Sequence, residues 1–175
     1  MPKIIAFLRG VNVAGKNKIR MDELQALCRE MGLRDARTYI QSGNIVFRSG
    51  ARFGGAQLEN EVERVFGFRP RVITRTAAEL RAVVERNPIS GAKPNQLLIF
   101  FLSGTPDEDA VEKVRQMGIE PEEIHILGAE MYIHFPFGQG VSKLPMARIE
   151  KTLGVTGTGR NWNSVLALLA MAEEE

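Results

Sequence analysis

The sequence predicts an α+β fold, in which a ferredoxin-like βαββαβ lobe is followed by a second α+β lobe. Residues 3–9 are apolar on both alternating faces, which is typical of a strand in the middle of a sheet. Over residues 1–76, helical apolar spacing and short β-prone segments alternate in the order βαββαβ. Residues 96–172 repeat the order βαββα without obvious residue identity, so element order alone predicts a pseudo-duplication.

The elements of the first lobe follow from local patterns. Apolar residues recur at helical spacing from Met21 to Met31, and Gly32 follows as a helix stop signal. Two β-prone segments flank Ser42-Gly43, a pair that predicts a tight hairpin because such residues tolerate positive φ. The predicted elements are a strand at 3–9, a helix at 21–31, strands at 36–41 and 44–48, a helix at 58–66 and a strand at 70–74.

The boundary between the lobes is predicted where helical spacing stops. A helix around Leu80 ends at Asn87-Pro88, and the Pro, Ser and Gly residues that follow are typical of a connector. The predicted domains are residues 1–87, a connector at 88–95 and a second lobe at 96–175, with a single compact domain as the open alternative. The second lobe is predicted to contain a strand at 96–102, a helix from Pro106, strands at 123–127 and 131–135, and helices at 143–153 and 161–172.

Composition indicates a soluble globular protein, since 44% of the residues are hydrophobic and 25% are charged. The longest apolar run, residues 97–102, is far shorter than the roughly 20 residues that cross a bilayer. With no signal-peptide pattern at the start, we expect a cytoplasmic protein. The one cysteine, Cys28, lies on a helical apolar stripe and is expected to be packed rather than nucleophilic. Because His125 and His134 have no third ligand at metal-binding spacing, we predict no metal and no cofactor.

Charge is distributed unevenly along the chain. Residues 1–103 hold 17 Lys and Arg against 9 Asp and Glu, whereas residues 104–175 hold 6 against 12. A basic half favours an anionic partner, while opposite halves are also able to attract each other or a second copy.

A basic loop directly follows the first strand, where residues 9–18 read RGVNVAGKNK. Its glycines allow backbone amides to converge on an anion, and its lysines add positive charge. The phosphate-binding pattern GxxxxGK[ST] fails at Asn17, which lacks the metal-binding hydroxyl, and the helix begins near Met21 rather than at the lysine. We therefore exclude a P-loop nucleoside triphosphatase.

Three polar segments are candidates for one ligand site. The first is the basic loop, and the second is the predicted hairpin tip. The third comprises two polar helix entrances in the second lobe, where an arginine beside a helix N-terminus suits an anion and Asn161 or Asn163 suits an N-cap. The candidate ligand-binding residues are Arg9, Asn12, Lys16, Lys18, Gln41, Ser42, Asn44, Lys143, Arg160 and Asn161.

The same segments resemble DUF1697, a bacterial family of unknown function. Its members read RGINVGGKNK, TYIQSGNVVF, GxGxSKL and a TRNWNT-type segment, and residues 9–18, 38–47, 138–144 and 160–163 match these motifs. Departures are small: Val11 and Ala14 stand where the family more often has Ile and Gly, and Gly159 and Ser164 stand where it has Thr. The resemblance implies an α+β fold with ferredoxin-like character and no established activity. It also implies that the polar segments belong to one recurring pattern, which favours a shared site.

The leading functional hypothesis is a binding module for an anionic ligand, namely a nucleotide or a small phosphate or carboxylate compound. A nucleic-acid-binding protein ranks below it, because the paired aromatic pattern of RNA-recognition sheets is missing. An enzyme of phosphoryl or acyl transfer stays an alternative without an identified base, since no catalytic motif is present and the nearest acids in sequence are Asp22 and Asp35. The ligand and the oligomeric state do not follow from the sequence.

Overall fold

The chain forms eight β-strands and six α-helices within the residues that its computed structural model describes, which are 1–40, 42–50 and 53–175. Contacts divide it into two compact units, Met1–Ala82 with Ala167–Glu175 (unit 1) and Val83–Leu166 (unit 2). In unit 1 the elements are β1 (Lys3–Leu8), α1 (Met21–Glu30), β2 (Arg34–Tyr39), β3 (Asn44–Arg48), α2 (Gly55–Phe66), β4 (Val72–Thr76) and most of α3 (Ala77–Glu85).

The sheet of unit 1 has the strand order β2-β3-β1-β4, and every neighbouring pair is antiparallel. This is the order of the ferredoxin-like βαββαβ arrangement predicted from the sequence. One face of β1, including Ala6 and Leu8, packs with Leu24 of α1 and Leu58 of α2 in a single hydrophobic core. The two helices therefore cover the same face of the sheet.

Unit 2 repeats this topology. Its sheet has the order β6-β7-β5-β8 with antiparallel neighbours, and its core joins residues of β5, α4 and α5, such as Leu102, Val114 and Ile149. The elements are β5 (Leu97–Leu102), α4 (Glu108–Arg115), β6 (Glu123–Leu127), β7 (Glu130–His134), α5 (Met146–Leu153), β8 (Gly157–Asn161) and the start of α6 (Trp162–Glu173).

Strand β8 is the one strand that the sequence did not predict. The sequence predicts helices at 143–153 and 161–172 with no strand between them, because Gly157 and Gly159 interrupt any apolar alternation. Packing explains the glycines: a Cβ atom at residue 157 would lie 2.5 Å from Phe100 Cε1, and one at residue 159 would lie 3.0 Å from Leu98 Cδ2. With β8 included, the second series is βαββαβ, which strengthens the predicted duplication.

Equivalent hydrogen bonds recur in the two units. The first residue of β4 and that of β8, Val72 and Gly157, each donate a backbone N–H to a helix glutamate, Glu59 at 2.9 Å and Glu150 at 3.1 Å. At the end of the central strands, Leu8 N donates to Gly43 O at 2.8 Å and Leu102 N donates to Ala129 O at 2.9 Å. The units thus share hydrogen bonds as well as strand order.

Helices α3 and α6 are each divided between the two units. Helix α6 begins in unit 2, but Ala167–Glu175 belongs to unit 1, whereas α3 begins in unit 1 and ends in unit 2. The contacts thus divide the chain at residues 82–83 and again at residues 166–167. The predicted connector at 88–95 lies within unit 2.

Among the described residues, none of the helices has the length and hydrophobicity needed to cross a bilayer.

Candidate anion-binding site

The connection between the first strand and the first helix differs most between the two units. Unit 2 joins β5 to α4 with residues 103–107, whereas unit 1 uses residues 9–20, here called the basic loop. Since unit 2 forms the same topology with the short connection, the fold does not require the longer one. Loops that exceed what a fold needs are common locations of binding residues.

The basic loop has a defined structure of its own. Asn12 Nδ2 donates to Ile19 O at 3.0 Å, and Ile19 N donates to Asn12 Oδ1 at 2.9 Å, so one side chain joins the two ends of the loop. Asn17 Nδ2 donates to Gly10 O at 3.2 Å, and Lys16 N donates to Val13 O at 2.9 Å. The side chains of the two asparagines therefore stabilise the loop instead of pointing to a ligand.

Left-handed backbone conformations are concentrated in this loop. Asn12, Ala14 and Asn17 have φ values of 56°, 51° and 52°, and Gly10 and Gly15 are also positive. Of these residues, alanine has neither the conformational freedom of glycine nor the hydrogen-bonding side chain of asparagine. Ala14 therefore holds a strained position. Backbone strain of this kind is found at binding sites more often than elsewhere.

The cations of the basic loop are accessible. Lys16 and Lys18 are exposed, and neither ammonium group bonds to another part of the chain within the described residues. Arg9 is half-buried, and its backbone N–H donates to Arg71 O at 2.9 Å. This bond places Arg71, which is exposed, beside the basic loop. Arg71 was not predicted from the sequence, because no motif marks it.

The hairpin tip lies at the same end of the sheet as the basic loop. Gly43 O accepts a hydrogen bond from Leu8 N at 2.8 Å, and a Cβ atom at residue 43 would lie 3.4 Å from Val11 Cβ. Strand β2 ends at Tyr39, which pairs with Asn44 of β3, whereas the predicted strand at 36–41 ends at Gln41, outside the described residues.

The candidate residues of the hairpin have different environments. Asn44 is fully buried, and its Nδ2 donates to Tyr39 O at 2.9 Å and to Ser42 Oγ at 3.0 Å. Its amide therefore stabilises the hairpin, and Ser42 is the half-buried polar group nearer the surface. Gln41 lies outside the described residues.

Arg160 lies in unit 2 on β8, and not in a loop before a helix as predicted. Its side chain is only 6% exposed, and Nη1 donates to Thr158 Oγ1 at 2.7 Å and to Gly159 O at 2.9 Å. Burial lowers the pKa of the guanidinium to about 10, so the group still carries its charge at neutral pH. In unit 1, Arg75 occupies the equivalent register position opposite Ile5 and likewise donates to the preceding carbonyl, Thr74 O, at 2.8 Å.

Asn161 and Lys143 are the other candidate residues of unit 2. Asn161 Oδ1 accepts a hydrogen bond from Ser164 N at 2.8 Å, which confirms one of the two predicted N-caps of α6. Lys143 is exposed and borders a groove of about 230 Å³. A role of these residues in binding stays a prediction.

Among the described residues, the side chains suited to acid-base or metal chemistry form ion pairs, stay protonated or do not cluster. Asp22 pairs with Arg20 at 2.8 Å, and Asp35 pairs with Arg48 at 3.3 Å. Burial raises the pKa of the Cys28 thiol to about 12, so this thiol is protonated at neutral pH. No cluster of three His, Cys, Asp or Glu side chains suitable for a metal occurs in the described part of the chain.

The sequence model of the family described as "Protein of unknown function (DUF1697)" matches residues 1–132. The chain belongs to this family. Membership in the family, which was expected from the sequence, is therefore confirmed. No curated protein matches the chain.

Solved structures extend the comparison of this DUF1697 member to the whole fold. A conserved bacterial protein from Streptococcus pneumoniae has a TM-score of 0.74 at 22% identity, over 98% of this chain and 99% of its own. An unknown protein from Galdieria sulphuraria has a TM-score of 0.27 at 14% identity, over 91% of this chain and 98% of its own, which is too low to support an argument. The first similarity supports the fold, including the second unit beyond residue 132.

Proposed function

We propose that this protein is a binding module for a small anionic ligand, a nucleotide or another phosphate or carboxylate compound. The ligand would contact the end of the unit 1 sheet where the basic loop, the hairpin tip and Arg71 meet. The observation that carries the proposal is the basic loop, which unit 2 does not need for the same topology and which presents exposed Lys16 and Lys18.

Preorganisation supports binding at this place. Because the side chains of Asn12 and Asn17 hold the loop in one conformation, less conformational entropy would be lost when an anion binds. Charge-assisted hydrogen bonds from lysine and arginine to phosphate or carboxylate are about twice as strong as neutral ones. Lys16, Lys18 and Arg9 are therefore proposed to bind the anionic group, and Ser42 to donate a hydroxyl.

The test is calorimetric titration with pyrophosphate, AMP and citrate as probes. The double variant Lys16→Gln/Lys18→Gln is expected to bind the preferred probe roughly tenfold more weakly, which corresponds to about 1.4 kcal/mol. The control, Lys113→Gln/Lys151→Gln, removes the same charge from exposed lysines of unit 2 and is expected to change affinity less than twofold. An equal loss in both double variants, or no binding of any probe, contradicts the proposal.

A nucleic-acid ligand would behave differently in the same experiment. Its affinity would fall steeply with salt because several bound phosphates release counterions, whereas a small ligand shows a shallow dependence. Titration of a single-stranded oligonucleotide at 50 and 200 mM salt therefore separates the two classes. A steep slope that Lys16→Gln/Lys18→Gln reduces would assign the loop to nucleic acid instead.

A further inference from the structure

A second basic surface in unit 1 lies at the other end of β1, away from the basic loop. Lys3 starts β1 and pairs in register with Arg48 of β3, and Arg37 lies on β2. Together with Asp35 these residues line a cleft of about 310 Å³, here called the basic cleft. That volume is at the lower end of small-ligand sites.

The fold does not require cations at these positions. In unit 2, the residues that correspond in register to Lys3 and Arg48 are Leu97 and His134. The residue that corresponds to Arg37 is His125. The same sheet therefore forms in unit 2 without lysine or arginine at these positions.

The chain's own acidic residues occupy the basic cleft. Arg37 Nη2 donates to Glu174 Oε2 at 2.7 Å and to Met171 O at 3.4 Å, and Lys3 Nζ donates to the backbone carbonyl of Glu174. Glu175 also lines the cleft. The cleft thus binds a carboxylate that is followed in sequence by a second acidic residue.

This intramolecular contact is readily exchangeable. The side chains of Arg37 and Glu174 are 47% and 57% exposed, and ion pairs of this exposure contribute about 0–1 kcal/mol. The segment directly follows helix α6, and this covalent attachment supplies an effective concentration in the millimolar range. A partner with more carboxylates or tighter packing would displace it.

We propose that the basic cleft binds an acidic peptide segment of a partner and that Glu174 and Glu175 occupy it in the partner's absence. Arg37 is the main determinant, and Lys3 contributes a second positive charge. This site is separate from the basic loop, so neither proposal depends on the other.

The test uses fluorescence anisotropy with a labelled peptide of sequence AMAEEE, which copies residues 170–175, and with the neutral peptide AMAQQQ. The double variant Glu174→Gln/Glu175→Gln is expected to bind AMAEEE roughly tenfold more tightly than the unchanged chain, because the tethered competitor is weakened. AMAQQQ is expected to bind neither protein. Control Glu120→Gln/Glu122→Gln, which makes the same change of net charge in unit 2, is expected to have less than a twofold effect.

Adding Arg37→Gln to the Glu174→Gln/Glu175→Gln background is expected to abolish the gain, and Arg37→Lys to restore part of it. Thermal unfolding of each variant is measured alongside, so that a lost fold is not taken for a lost site. The proposal is overturned if the Glu174→Gln/Glu175→Gln variant binds no tighter than the control, or if binding survives Arg37→Gln. The Lys16→Gln/Lys18→Gln variant reports independently on the basic loop.

Discussion

At the scale of single residues, Asn12 combines two tasks that no other residue type performs together. It adopts φ of 56°, and its amide exchanges two hydrogen bonds with the backbone of Ile19. Alanine would lose both bonds and would be strained in this conformation, whereas glycine would lose only the bonds. The pair of substitutions therefore separates the two contributions.

We expect Asn12→Ala to lower the free energy of unfolding by about 2–3 kcal/mol and Asn12→Gly by about 1–2 kcal/mol. Urea unfolding of both variants measures the difference. Equal losses would mean that backbone conformation at residue 12 contributes nothing, and losses below about 0.5 kcal/mol would mean that the loop is held by other contacts.

Cys28 gives the chain a specific dependence on alkaline pH. Burial raises the pKa of its thiol from 9.0 to about 12, so the folded state keeps the proton over a range in which the unfolded state releases it. The contribution to stability is complete below pH 9 and is lost as pH rises toward 12. At pH 10.5 the titration of this thiol has lowered the free energy of unfolding by about 2 kcal/mol.

This dependence is measured by unfolding in urea at pH 8 and pH 10.5. The unchanged chain is expected to lose about 2 kcal/mol more between the two pH values than Cys28→Ala, in which the lysine and tyrosine titrations remain but the thiol is absent. The same pH loss in both proteins would contradict a buried thiol. Native Cys28 is also expected to react with iodoacetamide only after unfolding.

At the scale of elements, the sequence predicted the strands and the helix whose side chains show a clear apolar pattern. Strands β1 and β5 are continuous apolar runs, and helix α1 has clear periodicity, so all three were predicted correctly. Strand β8 was not predictable, because its conformation is imposed by pairing with β5 and its glycines reflect packing against Leu98 and Phe100. Local propensity carries no record of such tertiary contacts.

The same reasoning predicts the effect of a single methyl group on β8. In Gly157→Ala the new Cβ would lie 2.5 Å from Phe100 Cε1 and 2.7 Å from the backbone oxygen of Phe101, which is held in the sheet. We expect a loss of about 2–3 kcal/mol. Gly140→Ala is the control, since no atom lies within 4 Å of its Cβ position, and it is expected to change stability by less than about 0.5 kcal/mol.

Thermal unfolding of the two alanine variants gives the comparison directly. A Gly157→Ala protein as stable as Gly140→Ala would show that β8 moves without cost. It would also remove the packing explanation for the unpredicted strand.

At the scale of the whole molecule, the chain uses one topology twice and adds different features to the copies. The duplication was predictable from element order, because each copy begins with a buried apolar strand. The candidate site was predictable only in part: the charges of the basic loop are visible in the sequence, but the inward bonding of Asn12 and Asn44 depends on backbone positions. Arg160 was misplaced because β8 was missed.

The division of α6 predicts how fragments of the chain behave. Unit 1 includes Ala167–Glu175, which contributes buried Leu168 and polar contacts of Glu174 and Glu173 with Arg37 and Arg81. A fragment of residues 1–82 therefore lacks part of its own unit. We expect it to unfold without a cooperative transition, whereas residues 1–82 joined to 162–175 by a flexible Gly/Ser linker regain one.

Circular dichroism in increasing urea distinguishes the two fragments, and Leu168→Asp in the linked fragment is the matched control. Burying an aspartate at a fully buried leucine position is expected to abolish the regained transition, because a desolvated carboxylate without a partner is strongly unfavourable. If residues 1–82 alone unfold as cooperatively as the linked fragment, the end of α6 is dispensable for unit 1. The segment that carries Glu174 would then be free to leave the basic cleft without loss of fold, which would make its displacement by a partner easier.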